Sequence, residues 1–179
     1  MNGDAVVLGV TPRSRTALVV ALTAPPGVRL LTRTHVDLVG DGLPAQAFHA
    51  AAGLPLPEAE RLVERWAEEA ATAVSACFAE LMGEHPVVAV GIAAVVRPVP
   101  ALGAVLRSHP LLHLAEGQLA REAFAEAAAR VGLPVHYLDP RGAQDPVAVE
   151  RTVALGRAAG PPWRKEHRLA ALAALATSG

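Results

Sequence analysis

The stretch that decides the fold is Val6-Val7-Leu8-Gly9-Val10-Thr11-Pro12-Arg13-Ser14-Arg15-Thr16-Ala17-Leu18-Val19-Val20-Ala21-Leu22. Two apolar, β-branched runs flank a short polar turn containing proline, the pattern of a hairpin of two buried strands. Val6 to Val10 shows no polar alternation. A strand covered on both faces has no reason to alternate, so this segment is expected at the centre of a sheet.

Working outward, Pro25-Pro26-Gly27 makes a turn, and Arg29 to Leu38 reads as a third strand whose two faces differ sharply in polarity, as in a half-exposed edge strand. Gly40-Asp41-Gly42 ends it, and a short helix is expected over Pro44 to Ala52. Pro57 then opens a long helix to about Met82. Its apolar stripe is Leu62, Trp66, Ala70, Ala73, Val74, Cys77, Phe78 and Leu81, and Glu58, Glu60, Glu64, Glu68 and Glu69 form a solvated opposite face. Val87 to Val96 is apolar on both faces and is expected to be another central strand. Ser108 caps a helix running to about Val131, Pro134 to Leu138 is a fifth strand, and Asp145 with Pro146 opens a helix ending near Gly160. Pro161-Pro162 separates it from a last helix, about Arg164 to Thr177. A three-stranded meander followed by crossover helices and two parallel strands is an α/β fold with a mixed five-stranded sheet and the first strand in its middle. No repeat or linker divides the chain, so residues 1–179 are expected to form one domain.

The hairpin resembles the opening of the RuvC-type Holliday-junction resolvases of the ribonuclease-H-like superfamily, which begin with a strand, a Leu-Gly-Ile-Asp-Pro-Gly-Ser-Arg-like turn and a second strand. The last helix, Arg164-Lys165-Glu166-His167-Arg168-Leu169-Ala170-Ala171-Leu172-Ala173, is also similar to the family's final helix. The resemblance implies a ribonuclease-H-like fold over nearly the whole chain. It also implies where two divalent cations would be held by carboxylates: at the ends of the first and fourth strands and on the last helix. At those places this chain has Thr11, Gly91 or its neighbours, His167 and Ala170, with Glu166 alongside. One ligand out of four does not make a two-metal site, so the expectation is a scaffold without the nuclease chemistry.

A second constellation is independent of any family. On the Ser108–Val131 helix, Leu112, Leu119, Ala120, Ala123, Ala127 and Val131 define the inward face, and His109, His113 and Glu116 at i, i+4 and i+7 are expected on it too. The helix starts at the carboxyl end of the fourth strand, where open α/β sheets bind ligands. The Thr11–Arg15 turn, Arg97 and Asp139 should emerge at the same end. His109, His113 and Glu116 suit zinc or manganese; the plainer reading is a cluster that satisfies loop backbone. Arg13, Ser14 and Arg15 form a turn whose donors suit a phosphate. The ligand-binding candidates are therefore Thr11, Arg13, Ser14, Arg15, Arg97, Asp139, Glu166 and His167. His136 reads as a core-edge histidine, and His35, His49 and His85 as surface or loop residues.

Composition narrows the partners. At 179 residues, 52% hydrophobic, the chain has material for a full core. Its net charge of −1 gives no global attraction to nucleic acid or an anionic membrane. One Tyr, two Trp and three Phe are few for a base-stacking platform. Cys77 is the only cysteine, so no intrachain disulfide forms, and it falls where a small buried apolar group belongs. There is no basic-then-apolar leader and no apolar run of about 18 residues, so a cytoplasmic protein is expected. Three functions follow. The first is a catalytically degenerate ribonuclease-H-like protein that binds nucleic acid or another phosphate-bearing ligand at the sheet's carboxyl edge. The second is a metal-dependent hydrolase using His109, His113, Glu116 and Asp139. The third is a non-catalytic homodimeric interaction module.

Overall fold

In a computed structural model, which describes residues 4–178, the elements follow as β1 (Val6–Pro12), β2 (Thr16–Thr23), β3 (Leu30–Asp37), α1 (Ala47–Ala51), α2 (Leu56–Glu84), β4 (Val87–Ala93), α3 (Leu102–Val105), α4 (His109–Arg130), β5 (Val135–Leu138), α5 (Pro146–Ala159) and α6 (Lys165–Leu175). The sheet is five-stranded in the order β3-β2-β1-β4-β5. β1 pairs antiparallel with β2 and parallel with β4; β2–β3 is antiparallel and β4–β5 parallel. The unalternating strands β1 and β4 therefore lie side by side, and β3 and β5 are the edges.

Each face of the sheet has its own core. On one, Leu8, Val10, Val19, Ala21, Val90 and Ile92 pack with Trp66, Val74 and Phe78 of α2 and Leu112, Ala120 and Phe124 of α4. On the other, Val7, Leu18, Val20, Leu22 and Ala89 meet Ala170, Ala171 and Ala174 of α6 and Leu155 of α5. The second contact is unusually close. Gly9 and Gly91 are register partners across β1 and β4. A Cβ on Gly9 would stand 1.8 Å from the Ala170 carbonyl oxygen, and one on Gly91 would stand 1.9 Å from that of Ala173. Two facing glycines under an alanine-rich helix thus let backbone lie on backbone.

The differences from the sequence reading are local. β4 stops at Ala93 instead of Val96, and Val88 near its start is exposed, so the amino end of that strand is not central. α3 occupies residues to which the sequence assigns no element. Ser108 is the N-cap of α4, but its side chain makes no capping bond. Val131, assigned to the inward face, is 46% exposed because the helix has ended before it. Asp145 caps α5 as expected, accepting from the backbone N–H groups of Val147 and Ala148. Cys77 is buried, and burial together with Glu80 pushes its thiol up to about 11, which makes it a packing group. No helix among the described residues is long and apolar enough to cross a membrane.

Candidate functional site

The parallel strands β1, β4 and β5 all point their carboxyl ends the same way, and the residues just beyond them share one edge. Thr11 closes β1 there. Its hydroxyl donates to the Glu166 carbonyl oxygen at 3.0 Å, tying the hairpin to the start of α6. Arg13 Nη2 meets Glu166 Oε2 at 3.4 Å. A hydrogen bond from Glu166's own backbone N–H, followed by the Arg13 guanidinium, holds the Glu166 carboxyl below its ordinary value. Arg15 pairs with Asp41. The hairpin arginines therefore each face a carboxylate, Arg13 meeting Glu166 and Arg15 meeting Asp41, in exposed pairs.

His167 is a structural residue. It is 2% exposed, and its Nδ1 accepts from the Arg164 backbone N–H at 3.1 Å, closing the first turn of α6. Its ring lies against Trp163 and His35, with centroids 5.4 and 6.3 Å away. Burial lowers its pKa, an effect that Arg33, His35 and Arg164 reinforce and Glu166 opposes. Arg33 on β3 also donates to the carbonyl oxygens of Gly160, Pro161 and Pro162, fixing the connector from which α6 starts.

The register corrects one assignment. Gly91 sits opposite Gly9 and beneath Ala173, so no side chain fits there. One step past the Val10–Ile92 pair, the residue level with Thr11 is Ala93. The edge between β1, β4 and α6 thus presents Thr11, Ala93, His167 and Ala170. Ala93 and Ala170 carry no donor atom in their side chains, Thr11 and His167 are engaged internally, and Glu166 is matched by Arg13. This set does not fit a pair of divalent cations held by carboxylates.

A second group of polar side chains lies on the other side of this edge. A cavity of about 460 Å³ is lined by Pro12, Ala93, Arg97, His113, Gly117, Arg121, Asp139 and Arg141, among others. Arg97, His113 and Asp139 converge there as the sequence predicts. Arg97, Asp139 and Arg141 are exposed at the rim, and Asp139 Oδ1 accepts from the Arg141 backbone N–H. Arg121 is 4% exposed. Its Nη1 donates to the Val95 carbonyl oxygen, and its Nη2 has no partner. No carboxylate pairs with it among the described residues, and burial pulls its pKa down. Sequence reasoning missed Arg121, although a signal was present: His109, His113, Gly117 and Arg121 recur every fourth residue and form one stripe of α4.

The predicted ligand set His109, His113 and Glu116 is not brought together as such. His109 and His113 are exposed, whereas Glu116 is buried. At 3.6 residues per turn Glu116 lies only about 20° from His109 and about 60° from His113 around the axis, so the exposed histidines and the buried carboxylate share one side of α4 and differ in how far along it they stand. Glu116 instead bonds His49 of α1: Oε1 accepts from the His49 backbone N–H at 3.1 Å and lies 3.2 Å from His49 Nδ1. His49 also joins the two histidines, so it is no isolated surface residue. His136 is exposed on β5, because that strand is an edge. Another cavity, about 620 Å³ between Val28, Leu30, Leu155 and Ala158, is mostly apolar and lies away from this edge.

No protein-family model matches the chain, and no curated protein does. Among solved structures the chain is similar to RuvC of T. thermophilus in complex with a Holliday-junction substrate, at 18% identity and a TM-score of 0.56, over 96% of this chain and 90% of that one. It is likewise similar to a second Thermus thermophilus RuvC structure, at 17% identity and a TM-score of 0.55, over 95% and 91% of the two chains. The chain has the fold of the RuvC structures, a ribonuclease-H-like mixed sheet flanked by helices.

Proposed function

We propose that this chain is a ribonuclease-H-like protein that does not cleave nucleic acid and binds a phosphate-bearing ligand at the carboxyl edge of its sheet. One observation carries the reading: Arg121 is buried beside a cavity and forms no ion pair with a carboxylate among the described residues, and Arg97 and Arg141 stand at the rim of the same cavity. A buried cation without a counter-charge is costly, and an anion entering the cavity supplies that charge. Guanidinium groups match phosphate oxygens in a planar, bidentate geometry. Arg121 Nη2 is buried without a hydrogen-bond partner, so it has a donor to offer an oxyanion that enters beside it.

The size and charge favour a compact ligand. A cavity of about 460 Å³ falls in the range of small-molecule sites. A net charge of −1 with few aromatics gives little grip on a long polyanion. The nucleic-acid source of the same phosphate chemistry is separated by experiment. Titration with inorganic phosphate, and in parallel with a labelled four-way DNA junction across a salt series, is measured for wild type, Arg121→Met and Arg97→Ala. The expected result is phosphate binding that weakens tenfold or more in both variants. Junction binding with a steep salt slope and no phosphate binding would assign the cavity to nucleic acid. Binding of neither would overturn the proposal.

A further inference from the structure

We infer that His49, His109 and His113 form a binding site for a single divalent transition-metal ion of the zinc class, with Glu116 as the outer carboxylate that orients His49. The inference does not rest on the anion cavity. Each of the three histidines offers a ring nitrogen, and these nitrogens all lie within 4.8 Å of one another. The rings approach closely as well: centroids are 4.6 Å apart for His109–His113, 4.7 Å for His49–His113 and 5.7 Å for His49–His109. Zinc–nitrogen bonds of about 2.0–2.1 Å in a tetrahedron place ligand nitrogens roughly 3.4 Å apart. Small rotations of two exposed side chains close that difference.

The scaffold explains the approach. His109 and His113 are one turn apart on α4, so their side chains stack on one face. His49 comes from α1, which packs across the start of α4. Its Nδ1 faces Glu116 Oε1, which also caps the His49 backbone N–H. A neutral imidazole that donates from Nδ1 to a carboxylate keeps the lone pair on Nε2, the arrangement by which metal-binding histidines are fixed in tautomer and orientation.

The second observation is Glu116 itself. It is 4% exposed, no Arg or Lys among the described residues pairs with it, and its Oε2 has no hydrogen-bond partner. A buried carboxylate whose one side-chain partner is an imidazole, with Oε2 left unpartnered, calls for a counter-charge on the imidazole's side. A dication on the far nitrogen of that imidazole provides one, and strengthens the Nδ1–H donor at the same time. Imidazole ligands select zinc, copper, nickel and iron over magnesium and calcium. Three histidines leave a fourth position for water or an anion.

The test uses tag-free protein stripped with a chelator and titrated with Zn²⁺ against a chromophoric competitor. A Co²⁺ titration followed by visible absorption reports coordination geometry. One equivalent per chain is expected, with the intense bands of four-coordinate cobalt. His109→Ala should weaken Zn²⁺ binding at least 100-fold without unfolding the protein, since that side chain is exposed. It does not line the arginine cavity, so phosphate binding should be unchanged. Glu116→Gln should weaken zinc about 10–100-fold. Absence of stoichiometric zinc binding overturns the inference. So does binding that survives in the double variant His109→Ala/His113→Ala, or zinc affinity unchanged in a folded Glu116→Gln protein.

Discussion

Two glycines and one histidine show how single residues set the behaviour of the edge. Gly9 and Gly91 permit α6 to rest its backbone on the sheet. Gly9→Ala or Gly91→Ala places a methyl within 2 Å of a carbonyl oxygen, which overpacks a core with no room to give. Either substitution should destabilise the fold by about 3 kcal/mol, read as a shift in denaturant midpoint. An unchanged midpoint would mean that α6 does not sit where the structure has it. His167 makes a prediction about pH. Its folded pKa is depressed chiefly by burial, so the unfolded chain takes up a proton first on acidification. Stability from this group is fully present above the ordinary histidine value of 6.5 and is lost as pH falls through the depressed folded value. His167→Asn keeps an acceptor for the Arg164 N–H and removes the titration. The fall in stability between neutral and mildly acidic pH should be smaller in that variant than in wild type. Equal slopes in the two proteins would show that His167 is not held neutral by burial.

Helix α4 carries both candidate sites, and its reading shows what sequence patterns reveal. Leu112, Leu119, Ala120, Ala123 and Ala127 are buried as their spacing predicts. Ala115, Phe124 and Ala128 are buried with them, so the covered face is wide. The stripe of His109, His113, Gly117 and Arg121 runs along its border. A border residue is exposed near the helix start and buried further along, where the segment after β4 lies over it and Val95 accepts from Arg121. That is why His113 is exposed and Arg121 is not, and no periodicity carries this information. The His49–Glu116 bond joins residues 67 positions apart, a contact that no local pattern encodes. Gly117 tests the wall directly. A Cβ there meets nothing within 4 Å, so Gly117→Ala should stabilise the helix by about 0.8–1.0 kcal/mol. Because Gly117 lines the arginine cavity, the added methyl should also weaken phosphate binding. Higher stability with unchanged phosphate affinity would place the anion elsewhere.

Taken whole, the molecule has the fold of the RuvC structures, with Thr11, Ala93, His167 and Ala170 at the edge between β1, β4 and α6. The fold was legible because β1 and β4 lack alternation and because the element order admits few topologies: a meander, then parallel strands reached by helical crossovers. The resemblance of the hairpin and last helix to the RuvC family pointed to the same arrangement, and the solved RuvC structures share it at 18% and 17% identity. The site was less legible because it depends on register and on distant pairings. The sequence offers Gly91 or its neighbours at the fourth strand, and only the β1–β4 ladder brings Ala93 level with Thr11. The partners of the hairpin arginines, Glu166 and Asp41, lie 153 and 26 positions away, pairings that no local pattern encodes. The central claim is that this scaffold works without the two-metal nuclease. The most direct measurement incubates the purified protein with a labelled four-way DNA junction and Mg²⁺ or Mn²⁺, and separates the strands under denaturing conditions. The account predicts an intact junction at every protein ratio, since Thr11, Ala93 and Ala170 offer no carboxylate. Cleavage products that form with the wild-type protein and vanish with Glu166→Gln or His167→Ala would contradict it.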